Sequence, residues 1–374
     1  AYSLVARVED TTISGSGQTT FLTGVHRDKH QVPDNAFSEP NNAQFPHYFT
    51  RIKQASPETR TASYTTWQPI PDYIVANADI NAFADYTTNG DTLMVTQLVA
   101  DLATKDSDVI TLMLSDLDAT GHSYGFDAVG STYIAQMEDI DTQLQQVLAA
   151  IDARETKAEE NWMIVLSTDH AGTGYGHGDN IPEHRLVPLV IVSDQTVAGE
   201  IWPAPDVVDI VPTIFHHLNI DIEDAWGLDG RVLGATATAA PEATLNTNLV
   251  FNGNAEYERG YDDFDPDASV PGWVDNGYAT VMIYDAPDGF PASTDPGPQN
   301  RGNNYFCGGG TSGDTQLTQT INLTAITEQI AAGASYELSG YIGGYLSQDD
   351  GSAVSVTFLN SSQSALHTQT IGPL

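Results

Sequence analysis

An α/β fold is predicted for the larger, N-terminal part of this chain: an open, mostly parallel sheet with helices on both faces. A smaller all-β sandwich follows it. Residues 1–232 alternate strand-like and helix-like segments, and residues 234–248 (GATATAAPEATLNTN) are small and polar, as a linker is. Residues 249–374 change to short alternating runs rich in Gly, Asn, Ser, Thr and aromatics. The boundaries expected are therefore 1–233, a linker over 234–248, and 249–374. A length of 374 residues suits one large domain plus a smaller one.

Asp91 to about Thr104 (DTLMVTQLVADLAT) carries a helical period and leads into Val109–Ser115 (VITLMLS), a buried parallel strand. From Ser131 to Arg154 the residues Ile134, Met137, Ile140, Leu144, Val147 and Ile151 line one helical face. Trp162–Ser167 and Leu186–Ser193 read as further strands, and Asp206–Leu218 as a helix. In the rear part, YATVMIY (278–284), TQLTQTINL (315–323), SYELSGYIGG (335–344) and AVSVTFL (353–359) read as short strands with turn residues between them. The chain is expected to stop inside that sandwich.

Charge narrows the partners. Fifty Asp plus Glu against 13 Lys plus Arg give a net charge of −37. Duplex nucleic acid is excluded, because phosphate neutralisation needs a basic face. The same field repels any anionic substrate, so a site for one needs strong local positive charge, which bound metal ions supply. The single cysteine, Cys307, forms no internal disulfide. No apolar run approaches the roughly 18 residues of a membrane span, and AYSLVARVED has no signal-peptide pattern.

Three clusters of ligand-type residues follow predicted strands, where open α/β sheets place binding loops. Asp118 and His122 stand four apart on an expected loop after VITLMLS. Asp169 and His170 end WMIVLS. His177 lies between Gly176 and Gly178, which allow close backbone approach, with His184 as a nearby competitor. Each cluster alone reads as easily as a cap or a solvated loop. Together they form the order D-x-x-x-H, D-H, H-G, and oxygen and imidazole ligands suit zinc and harder divalent ions.

This order resembles the alkaline phosphatase superfamily, above all its type I phosphodiesterase/nucleotide pyrophosphatase members. The stretch Ser14-Gly-Ser-Gly-Gln-Thr-Thr-Phe-Leu-Thr-Gly-Val-His-Arg-Asp-Lys-His30 resembles the family's nucleophile segment. There a Ser or Thr opens a helix that runs into Thr-Gly and a downstream His. Counting back nine from Thr23 gives Ser14. The resemblance, over about residues 1–232, implies a nucleophilic Ser14 and two divalent metal ions, expected to be zinc. It implies Asp118, His122 and His177 on one ion, and Asp169, His170 and Ser14 on the other. It also implies a small phosphoester substrate and a secreted or periplasmic location, with the signal outside this chain. The family carries a further Asp on an earlier strand. Asp10 is the nearest carboxylate here but stands in the wrong segment, so a site short of one ligand and a sheet short of one strand are expected. Where many relatives have an Asn, this chain has Gly17; Gln18 is the candidate substitute donor to substrate, and Tyr124 a candidate pocket residue.

Thr19, Thr20, His30, His47, Trp67 and the pair His216-His217 are read as structural. Residues 251–273 resemble the opening of jelly-roll modules that bind carbohydrate, which makes a carbohydrate the expected ligand of the rear domain. Asp262, Asp263, Asp265 and Asp267 lack EF-hand spacing, with Pro266 among them, and read as a solvated acidic turn; Trp273 reads as a core residue. A sulfatase is disfavoured because Ser14-Gly15-Ser16-Gly17-Gln18 lacks the Pro and Arg of the C/S-x-P-x-R signature. A phosphate monoesterase and a catalytically degenerate carbohydrate-binding protein are the alternatives.

Overall fold

The computed structural model describes residues 1–9, 11–235, 240–257, 260–263, 270–275, 279–308, 315–344 and 351–373. Asp10, Asp265 and Asp267 lie outside the described residues. The chain divides into two compact units, Ala1–Ala240 and Pro241–Leu374.

The first unit is a mixed α/β fold. Its elements are β1 (Tyr2–Arg7), α1 (Ser14–Thr23), α2 (Arg27–His30), α3 (Tyr48–Ala55), β2 (Thr61–Thr65), β3 (Ile80–Phe83), α4 (Gly90–Leu102), β4 (Val109–Met113), α5 (Asp116–Tyr124), α6 (Ser131–Asp152), β5 (Ile164–Leu166), α7 (Pro182–Arg185), β6 (Leu186–Val192) and α8 (Ile210–His217). The strands make two three-stranded sheets, ordered β3-β2-β4 and β1-β6-β5. The first is parallel. In the second, β6 runs antiparallel to both neighbours. A mostly parallel arrangement is therefore observed for only one of the two sheets. An apolar run such as LVPLVIV fits either direction, because its inward set Val187, Leu189 and Ile191 is the same in both.

α1 is held by burial on two sides. Leu22 packs with Phe49 and Ile52 of α3 and with Val211 and Phe215 of α8. Beneath the second sheet, Ala6 and Val8 pack with Val187, Leu189 and Ile191. A buried polar tie fixes the exit of β1 to the same helix. Thr20 donates to Glu9 Oε1 at 2.6 Å, and His26 Nδ1 lies 3.0 Å from that oxygen. His30 Nε2 is 2.9 Å from the Thr20 hydroxyl.

The second unit contains β7 (Val274–Asp275), β8 (Thr280–Ile283), β9 (Asn304–Cys307), β10 (Leu317–Thr318), α9 (Thr327–Ala331), β11 (Val354–Leu359) and β12 (Ala365–Ile371). These strands pair antiparallel as β7-β10, β8-β9 and β11-β12. Residues 335–344, expected as a strand, are in no strand of the structure. Trp273 packs edge-on to Phe306 and donates to the Asn252 carbonyl.

Burial alone would lower the His26 pKa. Glu9, through charge and hydrogen bond, then Asp206 and Asp229, outweigh it and raise the value from 6.5 to about 10. A group whose folded pKa is raised stabilises the fold fully below its unfolded value and loses that contribution as pH rises through the folded one. The thermal midpoint is therefore expected to fall more steeply between about pH 6.5 and about pH 10 in the wild type than in His26→Gln. Parallel slopes in the two proteins would contradict the Glu9–His26 pairing.

Candidate active site

The chain passes from extended Ile13 (φ −120°, ψ 138°) directly into α1, so Ser14 is the first helical residue. Helix starts favour anionic groups. Two glycines let this start seat deeply. A Cβ on Gly15 would fall 2.4 Å from the Asp34 carbonyl, and the Gly15 N–H donates to Asn35 Oδ1 at 2.7 Å. A Cβ on Gly17 would fall 2.5 Å from the Asp169 carbonyl. Gly17 thus stands where no side chain fits, because the start of α1 packs on the backbone that carries Asp169. Gln18, one residue on, is buried within α1.

Asp118 and His122 lie on a helix rather than a loop. Both belong to α5, where an i, i+4 spacing puts them on one face. Asp91 sets the start of that helix. It is fully buried, and its two carboxylate oxygens accept the backbone N–H groups of Ser115 and Asp116, each at 2.9 Å. A carboxylate at a helix N-terminus is favourable. Burial and the Asp91 charge push the Asp116 carboxyl up to about 6. Tyr124, at the end of α5, is 67% exposed.

The third segment, 169–179, is braced at its base by His184. The Asp179 N–H donates to His184 Nδ1 at 3.2 Å, so the His184 Nε2–H points to the Thr173 hydroxyl 2.8 Å away. Thr12 ties the loop to the approach to Ser14: its hydroxyl accepts from the Gly178 N–H at 2.8 Å and donates to the Asp179 carbonyl at 3.2 Å.

The three imidazoles share one orientation. The Nδ1 atom of His122 faces the Tyr175 carbonyl at 3.0 Å, that of His177 the Thr12 carbonyl at 2.6 Å, and that of His170 the Ala171 carbonyl at 3.2 Å. A carbonyl only accepts, so each Nδ1 carries a proton, and in the neutral ring each Nε2 presents a lone pair. These lone pairs converge. His122 Nε2 and His177 Nε2 are 3.1 Å apart, and Asp118 Oδ1 lies 3.6 Å and 3.5 Å from them. The rings of His170 and His177 stack at 3.7 Å. Ser14 Oγ donates to His170 Nε2 at 3.2 Å, and Asp169 Oδ2 is 3.5 Å from the same nitrogen. Burial, then the neighbouring His170, hold the His177 pKa below its ordinary value.

This arrangement fits a cation. Asp118 Oδ1 is buried and accepts no hydrogen bond among the described residues. Two facing imidazole lone pairs repel each other unless a positive species lies between them. Ligand atoms of Asp118, His170 and His177 all fall within 4.8 Å of one another. His170 therefore stands with the Asp118 group as well as with Asp169 and Ser14. The residues without a signal in the sequence are Thr12, Asp91 and Tyr175. Each acts through a backbone contact, and no spacing pattern reports that.

His47 and His30 are buried, and His217 Nε2 donates to the Asn161 carbonyl at 2.9 Å. Trp67 packs beside the core, 6.1 Å from Phe37.

A comparison with family models places the chain in the alkaline phosphatase superfamily. The chain belongs to the type I phosphodiesterase/nucleotide pyrophosphatase family, whose model matches residues 9–204. No match was found among curated proteins. Among solved structures, Ps i-CgsB in complex with k-i-k-neocarrahexaose is 15% identical over 62% of this chain, with a TM-score of 0.44. The chain spans 66% of that protein's length. A 2-O GAG sulfatase is 10% identical over 75% of this chain and 72% of its own, with a TM-score of 0.49. Murine ectonucleotide pyrophosphatase/phosphodiesterase 5, solved in an inactive form with AMP, is 10% identical over 59% of this chain and 87% of its own, with a TM-score of 0.47.

The seat of α1 is directly testable. Gly17→Ala is expected to cost about 1–3 kcal/mol of stability, because the methyl group must push α1 off the Asp169 backbone. Urea unfolding measures this; an unchanged midpoint would show that the helix start has room there.

Proposed function

We propose that this protein is a two-metal phosphoester hydrolase of the phosphodiesterase/nucleotide pyrophosphatase type, with Ser14 as nucleophile. The observation that carries the reading is the convergence of Ser14 Oγ, three Nε2 lone pairs and the Asp118 carboxylate. Asp118, His122 and His177 would hold one divalent ion, and Asp169, His170 and Ser14 the other, with His170 close enough to lie between the two groups. Zinc suits this nitrogen and oxygen set. The ions supply the positive charge that activates a serine hydroxyl and offsets phosphoryl charge within a strongly acidic protein.

Ser14 Oγ attacks phosphorus as the bond to the leaving oxygen breaks. The leaving group departs with the proton that the serine gives up, and the phosphoryl group remains on Ser14, still carrying its second substituent when the substrate is a diester. Water then cleaves the Ser14–phosphoryl bond, releases the phosphorylated product and restores the hydroxyl. The start of α1 offers backbone N–H groups to the equatorial oxygens. Gln18 and Tyr124 are the proposed substrate contacts. Gly17 removes one side-chain donor from this start, so preference between a diester and a monoester is decided by assay. The reading places the protein outside the cytoplasm. It makes the rear unit (249–374, after a 234–248 linker) a β-sandwich of jelly-roll type that takes carbohydrate.

Turnover of bis-p-nitrophenyl phosphate beside p-nitrophenyl phosphate tests the reading, in the protein as its gene encodes it and with Zn²⁺ added. Ser14→Ala is expected to lower turnover at least about 10³-fold, and a chelator to abolish it. Turnover retained in Ser14→Ala would overturn the nucleophile assignment. Absence of wild-type turnover on both esters would overturn the hydrolase reading.

A further inference from the structure

Phe126 takes part in no chemistry, yet it touches both segments that carry the converging imidazoles. Its ring stands perpendicular to the His122 ring (5.5 Å, 83°) and to the His177 ring (6.1 Å, 90°). Perpendicular aromatic packing is directional and fixes ring rotation. Tyr133 of α6 closes another side at 5.7 Å.

Two glycines are shaped around the ring. A Cβ on Gly121 would fall 2.4 Å from Phe126 Cε1, although glycine is a poor choice inside a helix such as α5. A Cβ on Gly172 would fall 2.9 Å from Phe126 Cγ, against the face of the ring. Gly125, with φ +101°, turns the chain out of α5 so that Phe126 folds back beneath it. The Phe126 N–H then donates to the Gly174 carbonyl at 2.7 Å, an antiparallel bridge to the His177 loop.

We propose that Phe126 is a positioning residue that locks the end of α5 to the 169–179 loop, so that His122 and His177 present Nε2 to one cation. This rests on the metal-site reading above. With a smaller side chain, each imidazole is free to turn about its own Nδ1–H bond, and the two ligands no longer converge. The effect reaches the ion through ring orientation, as outer contacts to metal-ligating histidines do.

Zn²⁺ affinity of the whole chain, titrated against a competing chromophoric chelator, tests this together with the thermal midpoint of the metal-free protein. Phe126→Leu is expected to weaken Zn²⁺ binding about 10- to 100-fold. Gly121→Ala keeps the ring but displaces it, and is expected to weaken binding as well. In the double variant no ring is left to displace, so the loss should not exceed that of Phe126→Leu. A role in stability alone would lower the metal-free midpoint and leave the affinity of the folded molecules unchanged. Wild-type affinity in both single variants, or losses that multiply in the double variant, would overturn the proposal. A wild type that takes up no Zn²⁺ would overturn the metal-site reading, and the proposal with it.

Discussion

The site depends on one electrostatic constraint: electron pairs from His122, His177 and Asp118 face one another at close range. Each Nδ1 proton is already committed to a backbone carbonyl, so rotation or a tautomer change cannot relieve the repulsion without breaking a hydrogen bond. A protein with a net charge of −37 adds an unfavourable field of its own. Positive charge at this point answers both.

The rest of the first unit serves to hold those groups against their own repulsion. Asp91 fixes the helix that carries Asp118 and His122. Thr12 and His184 fix the loop that carries His177. Gly15 and Gly17 allow α1 to bring Ser14 onto the strand end that carries Asp169 and His170. The Asp91 and Thr12 braces join residues far apart in sequence, so the site forms only when the unit folds.

The sequence made legible what local pattern encodes. The helices at 90–102 and 131–152 and the strands at 109–113 and 186–192 lie close to where periodicity put them. β1, β2 and β3 gave less signal: Tyr2, Leu4 and Val5 are exposed, while β2 is buried throughout and mixes Thr, Ser and Ala with Tyr64. Strand direction was hidden for β6 because its inward set does not depend on it. Ligand-type residues could be named from type and order. Their braces could not, since a backbone N–H or a ring face can be supplied by any residue the fold delivers. Gly17 shows the difference: in sequence it is a missing Asn, and in space it is the only residue that fits against Asp169.

Anomalous diffraction at the zinc edge, from crystals grown with Zn²⁺, tests the central claim most directly. A strong peak is expected within coordination distance of Asp118 Oδ1, His122 Nε2 and His177 Nε2, with Ser14 Oγ nearby. Crystals with zinc bound elsewhere and no peak among these groups would contradict it.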